Sequence, residues 1–302
     1  MPSTQEFRRR IKSVTNTRQI TKAMEMVASV KMQKAQKTIE NARSYIQNSW
    51  NMLETLARVT SPEHHPLLHK REVKKVGLLV ITSDRGLCGS YNSSIIQKTL
   101  AFAKGEEKIG IDTDTVADID LVSVGKKASN PVINMPNSKL VAEFTGLGKE
   151  IEFEEVRPIA KLLIEDYINK KYDQIIMVYS HFESSLNQTP VIKQILPITS
   201  EHIDIKELWQ PAENSAQENY LFEPSADKVL EGVLDQFIRM QIYGAILESN
   251  ASEHSARMVA MKNANDNAKE LIDDLQLTYN TIRQNSITSE ISEISAAAEA
   301  MS

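Results

Sequence analysis

The residues best suited to chemistry lie together in one short loop, SDRGLCGSYN, which spans residues 83–92. An apolar run before it predicts a buried strand, and the pattern after it predicts an amphipathic helix. Phosphate groups bind at such strand-to-helix junctions in doubly wound sheets. However, the loop matches neither GxGxxG nor GxxxxGK[ST], and it contains no lysine. We therefore interpret it as a tight turn in which Ser90 or Asn92 caps the helix.

Cys88, in the same loop, is the single cysteine of the protein, which excludes an internal disulfide and any CxxC site. A nucleophilic cysteine needs a base within hydrogen-bond reach. None of the six histidines has a local sequence signature that links it to Cys88. We therefore expect a buried structural cysteine and no catalytic residue.

The histidines also lack metal-binding spacing, because the sequence contains no HxxxH and no CxxC pattern. His254 falls on the apolar seam of a predicted helix, where a polar residue sets register. We predict neither a metal site nor a cofactor.

Charge is distributed unevenly along the 302 residues, whose net charge is −5. The segment from Met1 to Arg43 contains ten lysines and arginines but only three glutamates, which gives this N-terminal arm a net charge of +7. Such an arm favours an acidic partner. Nucleic acid is disfavoured, because the apolar residues between Ile20 and Val30 would then lie against phosphates.

The central part of the sequence alternates strand and helix patterns. Apolar runs predict strands at 76–82, 120–124, 140–144, 174–179 and 190–198, and helices are predicted at 92–104 and 154–171. This order is typical of a doubly wound, Rossmann-like α/β sheet with parallel pairs. Loop signals at 61–66 and a linker at 202–224 bound it.

Long helical patterns occupy both ends of the sequence, at about 3–56 and from about 225 onwards. A helix of ~70 residues would be roughly 100 Å long and needs a partner for its apolar stripe. Both patterns have the alternating 3/4 spacing of a coiled coil. We predict an antiparallel two-helix coiled coil, formed by residues 1–60 and 215–302, with a globular α/β domain at 72–212.

Two features of these helices call for a surrounding protein. Apolar residues between Ile20 and Met32 cover most of the helix circumference, so one partner helix cannot bury them all. The last turns carry Glu290, Glu293 and Glu299 among small or aliphatic residues, although a helix C-terminus favours cations.

Four segments resemble the gamma subunit family of F-type ATP synthases, in that family's order. They are RRRIKSVTNTRQITKAMEMVASVKMQKAQ, SDRGLCGSYN, SEHSARMVAMKNANDNAKELI and RQNSITSEISEISAAAEA. Ala297 stands where the family usually has glycine. The paired-cysteine insert of the chloroplast form is absent, because Cys88 is alone.

The resemblance implies a central rotor that couples proton-driven c-ring rotation to ATP synthesis or hydrolysis in the α3β3 hexamer. The implied partners are the α, β and epsilon subunits and the c-ring, and the nucleotide sites lie on the partners. The implied contact residues are Lys22, Met24, Val27, Arg257, Arg283, Gln284, Thr288 and Glu290. Among these, Arg283, Gln284 and Thr288 would meet a catch loop of the β subunit.

The resemblance further implies a peripheral position on the cytoplasmic face of the bacterial inner membrane. No apolar segment follows Met1 and no run of 18 apolar residues occurs, so we expect no signal peptide and only indirect membrane association. Two alternatives remain open: a non-rotary coiled-coil adaptor that bridges proteins, and a small α/β enzyme with a helical dimerisation arm.

Overall fold

A computed structural model of the protein describes residues 4–59, 65–106, 118–133, 138–147, 151–198, 223 and 225–301. In sequence order the helices and strands are α1 (Thr4–Val59), β1 (Lys75–Ile81), α2 (Tyr91–Ala103), β2 (Asp118–Val124), α3 (Lys126–Ile133), β3 (Ser138–Phe144), α4 (Phe153–Ile168), β4 (Gln174–Phe182), β5 (Gln188–Leu196) and α5 (Ala226–Met301). All five predicted strands are confirmed, as are the four predicted helices. The short helix α3 was not predicted. The predicted linker at 202–224 and most of the loop at 61–66 lie outside the described residues.

The five strands form one sheet in the order β3-β2-β1-β4-β5. The pairs among β3, β2, β1 and β4 are parallel, whereas β4 and β5 form an antiparallel hairpin at one edge. Strand order reverses direction on either side of β1, as in a doubly wound sheet. The predicted fold class, an α/β sheet inserted between two terminal helices that pack together, is confirmed.

Each face of the sheet has its own apolar core, because the strands are buried on both sides. One face packs against α2 and α3 through Tyr91, Ile95, Phe102 and Ala128. The other face packs against α4, against Leu53 and Leu56 of α1, and against α5. The α5 residues of this second core are Leu230, Leu234, Phe237, Ile238, Ile242, Ala245 and Ile246.

The start of α5 therefore packs on one face of the sheet and also pairs with α1. The heptad pattern alone predicted the pairing but not the packing on the sheet. Phe237 is 1% exposed in this core, and Ile238 and Ile242 are fully buried. At roughly 25 cal/mol per Å² of apolar surface, burial of each such side chain contributes about 1.5–3 kcal/mol. This packing fixes the start of α5 on the sheet.

The two terminal helices pair in antiparallel orientation. Near the start of α1, Arg8 Nε donates to the Tyr279 hydroxyl at 2.8 Å. Further along α1, the Tyr45 hydroxyl accepts from Gln236 Nε2 at 3.3 Å, so the partners occur in reverse order. The 3/4 spacing is confirmed by the burial of residues that follow it. They include Ala28, Met32 and Ile39 on α1, and Leu230, Phe237, Met261 and Ile272 on α5.

The protein consists of two compact units. The first comprises Met1–Ser29 with Arg257–Ser302, and the second comprises Val30–Ala256, which contains the sheet. These bounds describe packing within each unit. The functional division into a coiled coil at 1–60 and 215–302 and a globular domain at 72–212 remains a prediction.

Replacement of Phe237 by alanine tests the packing of α5 on the sheet. We expect Phe237→Ala to lower the free energy of unfolding by about 3–5 kcal/mol, because it leaves a cavity in a closed core. Denaturant unfolding of the full-length protein measures this loss. Leu186→Ala is the control, since Leu186 is 82% exposed and its truncation should change stability by less than about 0.5 kcal/mol. Equal losses in the two variants would contradict the packing described.

Candidate partner-contact surface

The loop after β1 was the first candidate for a phosphate site, and its polar groups bind one another. Asp84 Oδ1 accepts from the Lys126 N–H at the start of α3 at 3.2 Å, and its Oδ2 accepts from the Gly146 N–H at 2.9 Å. Thr82 Oγ1 accepts from the Ala128 N–H at 3.1 Å. A carboxylate of the protein itself therefore lies at the N-terminus of α3, the helix that follows β2.

The cavity beside this loop is too small for a nucleotide. It holds about 70 Å³ and is lined by Thr82, Asp84, Tyr91, Asn250 and Glu253, among others. Pockets for small-molecule ligands and cofactors usually hold about 300–1,000 Å³. At the wall of this cavity the backbones of Gly125 and Thr82 lie close together, because a Cβ at Gly125 (φ +88°) would lie 2.2 Å from the Thr82 carbonyl oxygen.

The predicted side-chain cap of α2 is wrong. Ser90 precedes the helix, but its backbone is helical (φ −84°, ψ 0°) and its side chain makes no capping hydrogen bond. A capping residue normally has extended backbone, which aims its oxygen at the helix amides. Asn92 instead bridges Ser83 and Cys88, since its Nδ2 donates to Ser83 Oγ at 2.8 Å and to Cys88 Sγ at 3.1 Å.

Cys88 is 2% exposed and belongs to the core between the sheet and α2, as predicted for a structural cysteine. His254 is also buried, at 7% exposure, which is consistent with its predicted place on the seam. Among the described residues, no group of three histidine, cysteine, aspartate or glutamate side chains could hold a metal ion.

A second cluster of titratable groups lies at the amino ends of β1 and β2. Lys75 Nζ is 3.0 Å from Asp120 Oδ2, which also accepts from the Tyr172 hydroxyl at 3.2 Å. Burial, followed by the charge of Asp120, raises the pKa of Tyr172. Nearby, burial raises the pKa of Tyr167 to about 12, against a smaller opposing effect of Arg71. The contacts of Asp120 with Lys75 and Tyr172 join β1, β2 and the residues before β4.

The predicted contact residues lie on the terminal helices, mostly on their outer faces. On α1, Lys22 and Val27 are exposed, whereas Met24 is half-buried. Lys22 Nζ pairs with Glu25 at 3.0 Å within the same helix. On α5, Arg257 is half-buried. Exposed positions farther along α5 are Arg283, Gln284, Thr288 and Glu290. Whether these residues contact partners remains a prediction.

The apolar residues of α1 between Ile20 and Met32 divide into a buried set and an exposed set, because a single partner helix can cover only one side of α1. Ala28 is 2% exposed. The outer residues are about 55–60% exposed: Ile20, Met26, Val27 and Val30. Four large apolar side chains on so short a segment leave apolar surface that the described part of the protein does not cover.

The end of α5 is uncovered along all its sides. Every described side chain from Arg283 to Met301 is exposed, including Ile287, Ile291 and Ile294. Thr288 Oγ1 donates back to the Gln284 carbonyl at 3.0 Å, so this hydroxyl is engaged within its own helix. An amphipathic helix normally buries one stripe, and here the described residues supply nothing to cover it.

Membrane crossing is not a property of these helices. No helix in the described ranges combines the length and apolar character needed to span a bilayer.

Fold and surface together define an α/β protein with two long terminal helices whose outer faces carry exposed apolar side chains. A family model described as ATP synthase matches residues 3–301. The ATP synthase gamma chain of Heliobacterium modesticaldum is 42% identical, and that of Pelotomaculum thermopropionicum is 40% identical; both alignments cover the full length of each protein. This protein therefore belongs to the family of ATP synthase gamma chains.

Solved structures agree with this assignment. The central stalk and c-ring structure of the Tetrahymena thermophila mitochondrial ATP synthase contains a subunit with a TM-score of 0.60 and 26% identity, and the match covers 81% of this protein and 99% of that one. A subunit in the OSCP/F1/c-ring structure of the Euglena gracilis mitochondrial ATP synthase has a TM-score of 0.63 at 19% identity, which supports the fold alone; the match covers 99% of this protein and 94% of that one.

Removal of the Asp84 carboxylate tests whether it caps α3. We expect Asp84→Ala to cost about 0.5–2 kcal/mol of stability, the usual loss when a helix cap is removed. Asp84→Asn should cost less, because its amide oxygen still accepts one of the two N–H groups. Denaturant unfolding measures both variants, with Asp118→Ala, at the exposed start of β2, as the control. A loss at Asp84 no larger than at Asp118 would exclude the capping role.

Proposed function

We propose that this protein is the central rotor shaft of an F-type ATP synthase. In this role it couples proton-driven rotation of the c-ring to ATP synthesis or hydrolysis in the α3β3 hexamer. Residues 1–60 and 215–302 form the shaft, and residues 72–212 form the foot on the c-ring beside epsilon. The observation that carries the proposal is full-length similarity to gamma chains combined with the uncovered apolar surface of both terminal helices.

The rotor acts without an active site of its own. Asp84 accepts hydrogen bonds from the Lys126 and Gly146 N–H groups, and the adjoining cavity is too small for a nucleotide. In this proposal the nucleotide sites belong to the α and β subunits. The rotor is peripheral to the membrane, on the cytoplasmic face of the bacterial inner membrane.

The shaft works by contact energy that differs from one β subunit to the next. A partner shifts a conformational equilibrium only through such a difference. A tenfold bias requires about 1.4 kcal/mol. Complete burial of one Val, Ile or Met side chain contributes about 1.5–3 kcal/mol. Ile20, Met26 and Val27 are each a little more than half exposed, so coverage of one of them contributes about 0.8–1.8 kcal/mol. Coverage of two of them by a single β subunit therefore supplies the required bias.

Charged and polar groups give the contact its specificity. Lys22, Met24, Val27 and Arg257 meet the surrounding subunits along the helix pair. Arg283, Gln284 and Thr288 meet a loop of one β subunit near the end of α5, with Glu290 almost two turns beyond Gln284. Arginine and glutamine supply several donors in fixed geometry, so they distinguish one loop orientation from another.

Rotation of a probe fixed to the sheet unit tests the function. In a complex reconstituted with α and β subunits and held to a surface by its hexamer, we expect ATP to drive rotation with three equivalent pauses per turn. The threefold arrangement of the β subunits is the reason. Mass analysis should give one copy of this protein per three α and three β subunits. An adaptor would give a bound but stationary probe, which would refute the rotor.

Charge reversal tests the proposed contacts on the helix pair. We expect Lys22→Glu combined with Arg257→Glu to reduce the coupling of ATP hydrolysis to proton pumping, because repulsion replaces attraction on a cationic face. The ratio of the two rates in membrane vesicles measures coupling. Lys22→Arg combined with Arg257→Lys preserves both charges and should retain coupling. An unchanged ratio in the reversed variant would mean that these residues do not transmit torque.

A further inference from the structure

Two serines of α5 bind backbone carbonyls of the sheet unit. Ser252 Oγ donates to the Ser180 carbonyl of β4 at 3.2 Å, and Ser255 Oγ donates to the Ser185 carbonyl in the β4–β5 turn at 2.5 Å. Both serines are fully buried. The Ser252 contact is buried and the Ser255 contact is partly buried, so competition with water is reduced, which strengthens both.

Two further polar contacts flank this pair. Ser249 Oγ lies 2.6 Å from the Tyr91 hydroxyl of α2, and this contact is also buried. Glu248 Oε2 lies 2.7 Å from His181 Nδ1 of β4. The α5 residues of these four contacts, which we call the serine clasp, are Glu248, Ser249, Ser252 and Ser255.

The clasp residues face the sheet together because of helical geometry. At 100° per residue, Glu248, Ser252 and Ser255 lie within about 60° of one another around the helix axis. Ser249 lies at the flank of this stripe, on the side of α2. The side chains of the three serines are short, so α5 approaches the backbone closely, and neighbouring Ala251 is fully buried.

The Ser180 and Ser185 carbonyls both lie where the β4–β5 hairpin leaves an acceptor for a donor on α5. Ser180 lies opposite Pro190 in the β4–β5 ladder, and proline has no N–H to donate. The Ser252 hydroxyl supplies a donor to Ser180. In the turn, Gln188 Nε2 donates both to the Ser185 carbonyl at 3.1 Å and to Ser255 Oγ at 3.3 Å, so the end of the hairpin is tied to the helix.

These contacts differ in kind from the rest of the packing of α5 on the sheet. Before Glu248, the helix is held mainly by apolar residues such as Phe237 and Ile242. The hydrophobic effect is non-directional, so it resists lifting of the helix more than turning about its axis. Hydrogen bonds weaken steeply with angle, and a serine hydroxyl is joined to the helix backbone through a single methylene group. The clasp therefore resists turning of the helix.

We propose that the serine clasp locks α5 against rotation relative to the sheet, and that Ser252 and Ser255 are positioning residues for torque transmission. This inference rests on the proposed rotor function. The clasp occupies the last two turns of α5 before Ala256, where the sheet unit ends. A turning force applied to the sheet unit thus enters the helix through directional bonds.

Angular fluctuation of a stalled rotor tests this role. In the reconstituted complex, a bead is attached at Lys139→Cys, an exposed position on β3, while the native Cys88 is buried. The angular variance of the bead is inversely proportional to the torsional stiffness between the sheet unit and the hexamer. Ser252→Ala with Ser255→Ala removes three of the five polar links described above and should raise the variance by up to about 2.5-fold.

Ser93→Ala is the matched control, because its exposed hydroxyl bonds the Ser90 carbonyl at its own helix end. Its variance should equal that of the parent protein. Should the double variant not assemble, Ser252→Ala and Ser255→Ala are measured singly, and each should give a smaller rise. Variance no greater than that of Ser93→Ala, in a rotor that still turns with ATP, would overturn the clasp and leave the rotor function intact. A parent protein that never rotates would instead refute the proposed function.

Discussion

The apolar contact between the start of α5 and one face of the sheet governs the rest of the sheet unit. Phe237, Ile238 and Ile242 are sealed between helix and strands, so a rigid core sets where this part of α5 lies on the sheet. Protein interiors are packed as densely as organic crystals and deform little. The pairing of α1 with this part of α5, and the placement of the serine clasp a few turns later, follow from this fixed starting point.

Burial of apolar side chains differs sharply between the sheet and the terminal helices. The sheet is covered on both faces by helices, and Asp84 and Thr82 saturate the N-terminus of α3 at its carboxyl edge. In contrast, apolar side chains of the terminal helices, such as Ile20 and Val27, are exposed. A sheet unit with two closed cores is thus joined to helices that leave apolar side chains exposed.

Much of this arrangement could be predicted from the sequence, for identifiable physical reasons. Periodicity predicted the seams of α1 and α5, because 3/4 spacing has few alternative explanations over so many turns. Pure apolar runs such as 76–81 predicted buried strands. The short α3 was missed because its eight residues include Asn130 and Pro131, which usually signal a turn.

Other features depend on tertiary contacts that no local pattern encodes. Heptad spacing does not tell whether an apolar stripe meets a helix or a sheet, although the extra apolar residues Leu234, Ile238 and Ile242 were a usable signal. The cap of α2 failed because Ser90 takes helical backbone angles, which the residue type does not reveal. The predicted contact residues came from family resemblance alone, since exposed residues such as Arg283 follow no pattern that physical reasoning can detect.

The uncovered end of α5 has a consequence for how the complex is built. A helical segment without tertiary contacts is marginal in water, because its backbone order costs about 1–2 kcal/mol per residue in lost entropy. The turns after Arg283 gain no compensating burial from the described part of the protein. In the proposed rotor, enclosure by the hexamer supplies it, so ordering of this end of α5 and closure of the hexamer around it are thermodynamically one event. A hexamer assembled around an empty centre would lack that contribution, which favours assembly upon the shaft over later insertion.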